Sequence, residues 1–261
     1  PTRRGMTTDL WAPLDPSRIS NFDDLLPTFV AEYPDGRLAG VGAVAWYITL
    51  VTNTDTYPEA PESWMALWDE ANADKLGLLA LVSNSFLLEV TAKTHMGGTD
   101  ALDTEEGQLA AFEKLAEVKP NVRLWYRDEA QFEQALKSGE IPMGQYYHDV
   151  TGLAAADGHP VRSTFPKEGG ILDSGNWCLS RASVKSDEAH VFIDFMSRPE
   201  TQGLLSRKVG TAPTLARGVL DLTDEEFSAV SSEIDPIVPR YDLYTEKGDW
   251  LNQKWTELIV G

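Results

Sequence analysis

Tyr146-Tyr147-His148-Asp149 is the densest run of chemically able side chains in the sequence, with two phenols, an imidazole and a carboxylate in consecutive positions. A His-Asp pair joined by a distant serine could relay a proton to a nucleophile. No G-x-S-x-G elbow is present, however, and adjacency along the chain does not make a hydrogen-bonded relay. His95, His159 and His190 fall in Gly-rich turns or on the surface of an expected helix, without the H-E-x-x-H spacing of a zinc site. Gly40-x-Gly42 lacks the third glycine of a dinucleotide loop, and there is no Walker A lysine. The residues therefore predict no enzyme, no cofactor and no resident metal. A second cluster, Ser83-Asn84-Ser85, sits where an apolar strand gives way to a helix. Small polar residues there either aim backbone N–H groups at a ligand or serve as an ordinary capping turn. A third, Asp173 to Trp177 (DSGNW), combines a carboxylate, an amide and an indole in a Gly-punctuated strand.

The elements that must position these groups alternate between strands and helices. Leu38 to Asn53 is apolar, β-branched and aromatic, which reads as one or two buried strands. Ser63 caps an expected helix over Trp64 to Asn72, and Leu76 to Val82 reads as a strand. Thr104 caps a helix with Leu109, Phe112 and Leu115 on one face. Val122 to Tyr126 reads as a strand, and Glu129 to Lys137 as a helix closed by Gly139. A strand then enters Tyr146-Tyr147, where the period of two sends neighbouring phenols to opposite faces, so one is expected in the core. An Ala-rich helix follows, stopped by Gly158. Ser186 caps another, with Ala189, Phe192, Ile193 and Met196 expected on its inner face. The alternation predicts an α/β architecture with largely parallel pairing.

Composition bounds the partners. The 261 residues, 42% hydrophobic and 10% aromatic, suit one large or two modest globular domains. No apolar run reaches the roughly 20 residues that span a bilayer. With 22 Lys and Arg against 41 Asp and Glu, the formal charge of −19 argues against nucleic acid, which needs a basic surface. Cys178 is the single cysteine and has no disulfide partner within the chain. Between Trp177 and Leu179 it is expected to be buried filler.

The ordered set WAPLDPSRISNF, VTNTD, SWMALWD, YYHDVTGLAAADGHPV, PKEGGILDSGNW, FIDFMSRPETQ and VGTAPT covers nearly the whole chain. It resembles the extracellular solute-binding components of bacterial ABC importers, in particular the spermidine/putrescine-binding group and its ferric-ion-binding relatives. The resemblance implies a periplasmic-binding-protein-like fold of two α/β lobes joined by hinge strands, with solute held in the cleft between them. It places residues 1–76 with 177–220 in lobe 1 and 77–176 with 221–261 in lobe 2. Hinge crossings are expected near Leu76 to Val82, Asp173 to Leu179, and Leu220. Relatives begin with further strand-helix units of the first lobe, so lobe 1 is expected to lack them here.

The same resemblance implies a monomeric periplasmic receptor that passes a small polar solute, a polyamine or another small amine or zwitterion, to a membrane permease. Polyamine-binding relatives hold ammonium groups with carboxylates and aromatic rings. Here Trp46, Tyr47, Tyr147 and Trp177 are the expected aromatic walls. Ser83, Asn84, Ser85, Asp173 and Asn176 are the expected polar contacts, with Asn176 standing where relatives carry a hinge acid. The alternative is a ferric-ion or small-carboxylate carrier, because ferric-binding relatives use adjacent tyrosines as phenolate ligands and Tyr146-Tyr147 fits that pattern.

Overall fold

The computed structural model describes residues 2–260. Its strands are β1 (Trp11–Ala12), β2 (Val30–Glu32), β3 (Leu38–Asn53), β4 (Leu76–Leu79), β5 (Val122–Tyr126), β6 (Met143–Tyr147), β7 (Val161–Thr164), β8 (Ile171–Trp177) and β9 (Leu179–Ser180). Its α-helices are α1 (Thr2–Thr7), α2 (Val82–Ser85), α3 (Leu87–His95), α4 (Glu105–Ala116), α5 (Glu129–Ser138), α6 (His148–Ala156), α7 (Ser186–Met196), α8 (Pro199–Val209), α9 (Asp224–Ser228) and α10 (Tyr241–Trp255). The chain forms two compact units, Pro1–Trp46 with Asp173–Ser231, and Tyr47–Leu172 with Ser232–Gly261. It passes between them after Trp46, Leu172 and Ser231. The divisions expected from sequence lay elsewhere for the first and last of these passages, near Leu76 to Val82 and near Leu220.

In the second unit the latter half of β3 pairs antiparallel with β6 on one side (Ile48↔Tyr147) and with β7 on the other (Leu50↔Thr164). β4 runs parallel to both β5 and β6. The sheet is therefore mixed, not largely parallel. Strand-helix alternation produces the parallel β4, β5 and β6, whereas β3 enters with no helical crossover and is free to pair antiparallel. Adjacent residues of β5 reach opposite faces. Trp125 meets Trp255 of α10 edge-on at 5.7 Å, while Tyr126 stacks on Phe132 of α5 at 4.8 Å. Phe132 lies over the backbone of Gly77 and Gly144, and a Cβ at either glycine would fall on its ring. The core on this face gathers Val51, Leu79, Tyr126, Phe132, Leu136, Tyr146 and Ala154. Tyr146 is thus the phenol that enters the core.

Caps set the boundaries of α5. The Asp128 carboxylate accepts from Ala130 N at 3.0 Å, and Gly139 takes the left-handed conformation, φ 74°, that glycine adopts without a Cβ penalty. The segment after Ser63 is a pair of 3₁₀ turns, Trp64–Trp68 and Glu70–Asn72, rather than one helix. Asp69 is extended, and its side chain accepts from Ala71 N at 2.9 Å, so it caps a new turn and interrupts the old one. Trp64 is fully buried and donates its indole N–H to Gly169 O at 2.9 Å. Glu168 accepts from Ser63 Oγ at 2.6 Å and from Trp64 N at 3.1 Å. The PKEGG turn therefore latches the SWMALWD segment.

In the first unit β2 pairs antiparallel with the start of β3, and β1 with β9. Leu14, Ile19, Leu25, Leu38, Val41, Leu179, Ile193 and Leu215 form its core. Gln202 of α8, 1% exposed, donates to Ala43 O and Met196 O and accepts from Thr214 N. Lys185, not Ser186, occupies the N-cap of α7 and supplies no side-chain cap. His190 is buried rather than on the helix surface: its Nε2 accepts from Asp15 N at 2.9 Å. Phe192, expected inside, is 48% exposed. Apolar periodicity gave Phe192 the inner face because it treated histidine as a surface residue, while the paired imidazole satisfies its polar atoms in the interior. Cys178 is half-buried between β8 and β9, and burial pushes its thiol pKa up.

Candidate functional site

The second unit carries a small cavity of about 10 Å³ lined by Ile48, Leu79, Asn84, Tyr126, Gln145, Tyr146 and Tyr147. The period of two places Gln145 and Tyr147 on one face of β6 and Tyr146 on the other. Tyr147 is half-buried at the end of β6 and donates its hydroxyl to Glu129 Oε1 at 2.7 Å. The Tyr126 hydroxyl donates to Gln145 O at 2.7 Å, and that of Tyr146 to Glu129 O at 3.2 Å. Burial is the main cause that raises the pKa of Tyr126 and of Tyr146, so both phenols keep their protons at neutral pH. Gln145 is 1% exposed. Its Nε2 donates to Ser85 O, which fixes the amide orientation, and its Oε1 is buried with no hydrogen-bond partner.

Of the residues singled out from sequence, Asn84 and Tyr147 meet at this cavity. Ser83 is exposed and donates to Asn84 Oδ1 at 2.8 Å. Ser85 is fully buried, and its backbone carbonyl holds Gln145. Tyr47 is buried too, packing edge-on against Phe165 at 5.0 Å. Asp173 and Asn176 stand at odd and even positions of β8 and so project from opposite faces of that strand. The Asp173 carboxylate accepts from Ser174 N at 2.7 Å. Trp177 meets Phe192 edge-on at 5.0 Å and packs against the first unit's core. Trp46, half-buried, and Trp177 each hold an indole N–H that is buried without a hydrogen-bond partner.

His148 Nδ1 pairs with Ser163 Oγ at 2.8 Å, and Ser163 in turn pairs with the fully buried Thr49 at 2.5 Å. Asp149 Oδ1 is buried with no hydrogen-bond partner. Among the described residues no group of three His, Cys, Asp or Glu could hold a metal ion. Sequence reading missed Gln145, Tyr126 and Glu129. Gln145 was open to discovery by its period-two spacing from Tyr147, whereas Tyr126 and Glu129 are brought in by tertiary pairing alone.

A two-unit α/β chain of this kind has the fold of the substrate-binding proteins of ABC transporters. An ABC transporter substrate-binding protein from Bradyrhizobium japonicum matches with a TM-score of 0.82 at 22% identity, over 99% of this chain and 80% of that one. The substrate-binding protein PotD of a spermidine/putrescine ABC transporter from Streptococcus pneumoniae gives 0.80 at 19% identity, over 98% and 81%.

The chain belongs to the bacterial extracellular solute-binding protein family, whose model matches residues 2–229. It is 27% identical over 229 residues to the gamma-aminobutyric acid-binding protein of Pseudomonas aeruginosa, covering 84% of this chain and 60% of that protein. It is 28% identical over 251 residues to spermidine/putrescine-binding periplasmic protein 1 of Haemophilus influenzae, covering 92% and 64%. The chain thus spans less than two thirds of the length of these relatives. The proteins it matches are binding proteins of transport systems, not enzymes. No helix among the described residues is long and apolar enough to cross a membrane.

Proposed function

We propose that the chain is the receptor of an ABC importer, capturing a small amine or amine-bearing zwitterion outside the cytoplasm and passing it to a membrane permease. The observation that carries this reading is the cavity of Tyr126, Gln145 and Tyr147 in a chain of this family. It is lined by tyrosines and holds an unpaired acceptor, near the Glu129 carboxylate that accepts from Tyr147. Aromatic faces and oxygen acceptors attract ammonium groups. The names of relatives that bind polyamines and gamma-aminobutyrate support the same solute class. In this reading Asn84 and Tyr147 are the candidate solute contacts of the second unit.

The ferric alternative has less support. A phenolate ligand needs a lowered phenol pKa, yet Tyr146 lies in the core with its pKa raised by burial and by the neighbouring Glu133 and Glu129. Thermal-shift titration with putrescine, spermidine, gamma-aminobutyrate and ferric citrate tests the reading. An amine present at a hundred times its Kd is expected to stabilise the fold by about 2.7 kcal/mol. No shift with any amine, or a visible charge-transfer band with ferric citrate, overturns it.

A further inference from the structure

We propose that Gln145 is a specificity-determining residue of this site, its Oε1 accepting an N–H from the primary ammonium head of the solute. The proposal rests on the solute-binding reading above and names the atom that reads the amine.

Gln145 is 1% exposed, so its polar atoms are shut off from bulk solvent. The amide cannot be turned over without cost, because Nε2 donates to Ser85 O, and the flipped amide would face that carbonyl with another oxygen. Oε1 is thereby committed as an acceptor, yet it has no hydrogen-bond partner. A buried unsatisfied acceptor costs about 1–3 kcal/mol. A donor arriving with the solute would satisfy this acceptor, and that hydrogen bond contributes affinity and selectivity in the complex.

The rest of the wall says which donor fits. Ile48 and Leu79 are apolar, and the phenols of Tyr126, Tyr146 and Tyr147 all donate to protein acceptors. Asn84, exposed at the rim, is occupied at its Oδ1 by Ser83. Glu129, which accepts from Tyr147, adds negative charge at the hydroxyl end of that ring. A carboxylate head would meet Oε1 lone pair to lone pair. The cavity, about 10 Å³, has the room of one water molecule. An –NH₃⁺ head is of that size and a trimethylammonium head is not. Gln145 would therefore discriminate by hydrogen bonding and by volume together.

The competing occupant is a structural water, and the experiment separates the two. Calorimetric titration of the 261-residue chain compares putrescine and gamma-aminobutyrate with their fully N-methylated, quaternary analogues, which carry charge but no N–H. Wild type is expected to prefer the primary amines. Gln145→Met, close in volume, is expected to reduce that preference by about 10- to 100-fold, the worth of one hydrogen bond to a charged group. Gln145→Glu keeps acceptor oxygens while losing the donor to Ser85, and is expected to retain the preference. Thermal midpoints of both variants report folding independently of binding. If Gln145→Met changes the midpoint but leaves the preference intact, the side chain serves a water or the Ser85 contact, and the assignment is overturned. If wild type binds primary and quaternary amines equally, the assignment also fails while the solute reading stands. If wild type binds no amine, both fall.

Discussion

Tyr244 donates its hydroxyl to Glu89 Oε2 at 2.7 Å while Arg240 N–H reaches Oε1 at 2.9 Å, and the carboxyl they share is fully buried in α3. Desolvation outweighs these bonds and the Arg240 charge, and raises the Glu89 pKa above 4.5. A raised carboxyl pKa means that the neutral form stabilises the fold. That contribution is complete below the unfolded value and drains as pH rises through the folded one. Arg240 itself is held by Asp103 and Asp242 and so brings little free positive charge to the site.

Glu89→Gln should flatten that pH dependence. The amide oxygen can accept from Arg240 N–H and the amide nitrogen can donate to Tyr244, so both contacts survive without a titrating group. Melting temperatures recorded upward from pH 4 should show wild type losing ground to the variant as pH rises above the ordinary carboxyl range, until the folded carboxyl has ionised. Parallel curves would contradict the assignment.

Gly144→Ala should destabilise the second unit. Its Cβ would fall on the Gly77 carbonyl and the Phe132 ring, and the Gly77 carbonyl is backbone that cannot step aside. Overpacking of this kind costs about 1–3 kcal/mol. Gly152→Ala, in α6 with nothing within 4 Å of the new Cβ, is the internal control. It should stabilise by about 0.5–1 kcal/mol through the lost freedom of the unfolded chain. Urea denaturation of the two variants should move the midpoint in opposite directions.

Gln202→Ala should loosen the first unit. The substitution strands Thr214 N and Ala43 O, both of which the amide now satisfies. Each buried polar group left unpaired costs about 1–3 kcal/mol, so a loss of at least 2 kcal/mol is expected in chemical denaturation.

Glu168→Ala should release the latch on SWMALWD. It removes the bonds to Ser63 Oγ and Trp64 N but leaves the indole bond to Gly169 O. Hydrogen bonds to a charged group are worth about 1.5–3 kcal/mol, and hydrogen exchange at 63–68 should accelerate accordingly.

Much of the fold was legible because caps and periods spoke locally. Val122–Tyr126 was bounded correctly, and α5 was closed at Gly139 as read, because its cap and stop lie within the segment. The Trp64 segment misled because Asp69 can either continue a turn or begin one, and only its geometry decides. His190 and Phe192 exchanged faces because Asp15, far away in sequence, supplies the N–H that lets an imidazole be buried. The site divides the same way. Tyr147, at the end of β6, is reached through the family resemblance, which makes it an expected aromatic wall. The importance of Gln145 depends on an unpaired atom, which no sequence pattern displays.

The three exchanges after Trp46, Leu172 and Ser231 make both units discontinuous. Neither corresponds to a stretch that truncation could isolate: during synthesis the first unit lacks part of itself until the chain reaches Ser231, and the second until the residues after it are added. A stop codon at Ser232 would strip α10, and with it Leu251 and Trp255, from a unit whose sheet was finished long before. The nascent chain therefore remains an incomplete folding problem for most of its synthesis, with its hydrophobic surfaces waiting on residues still to be added.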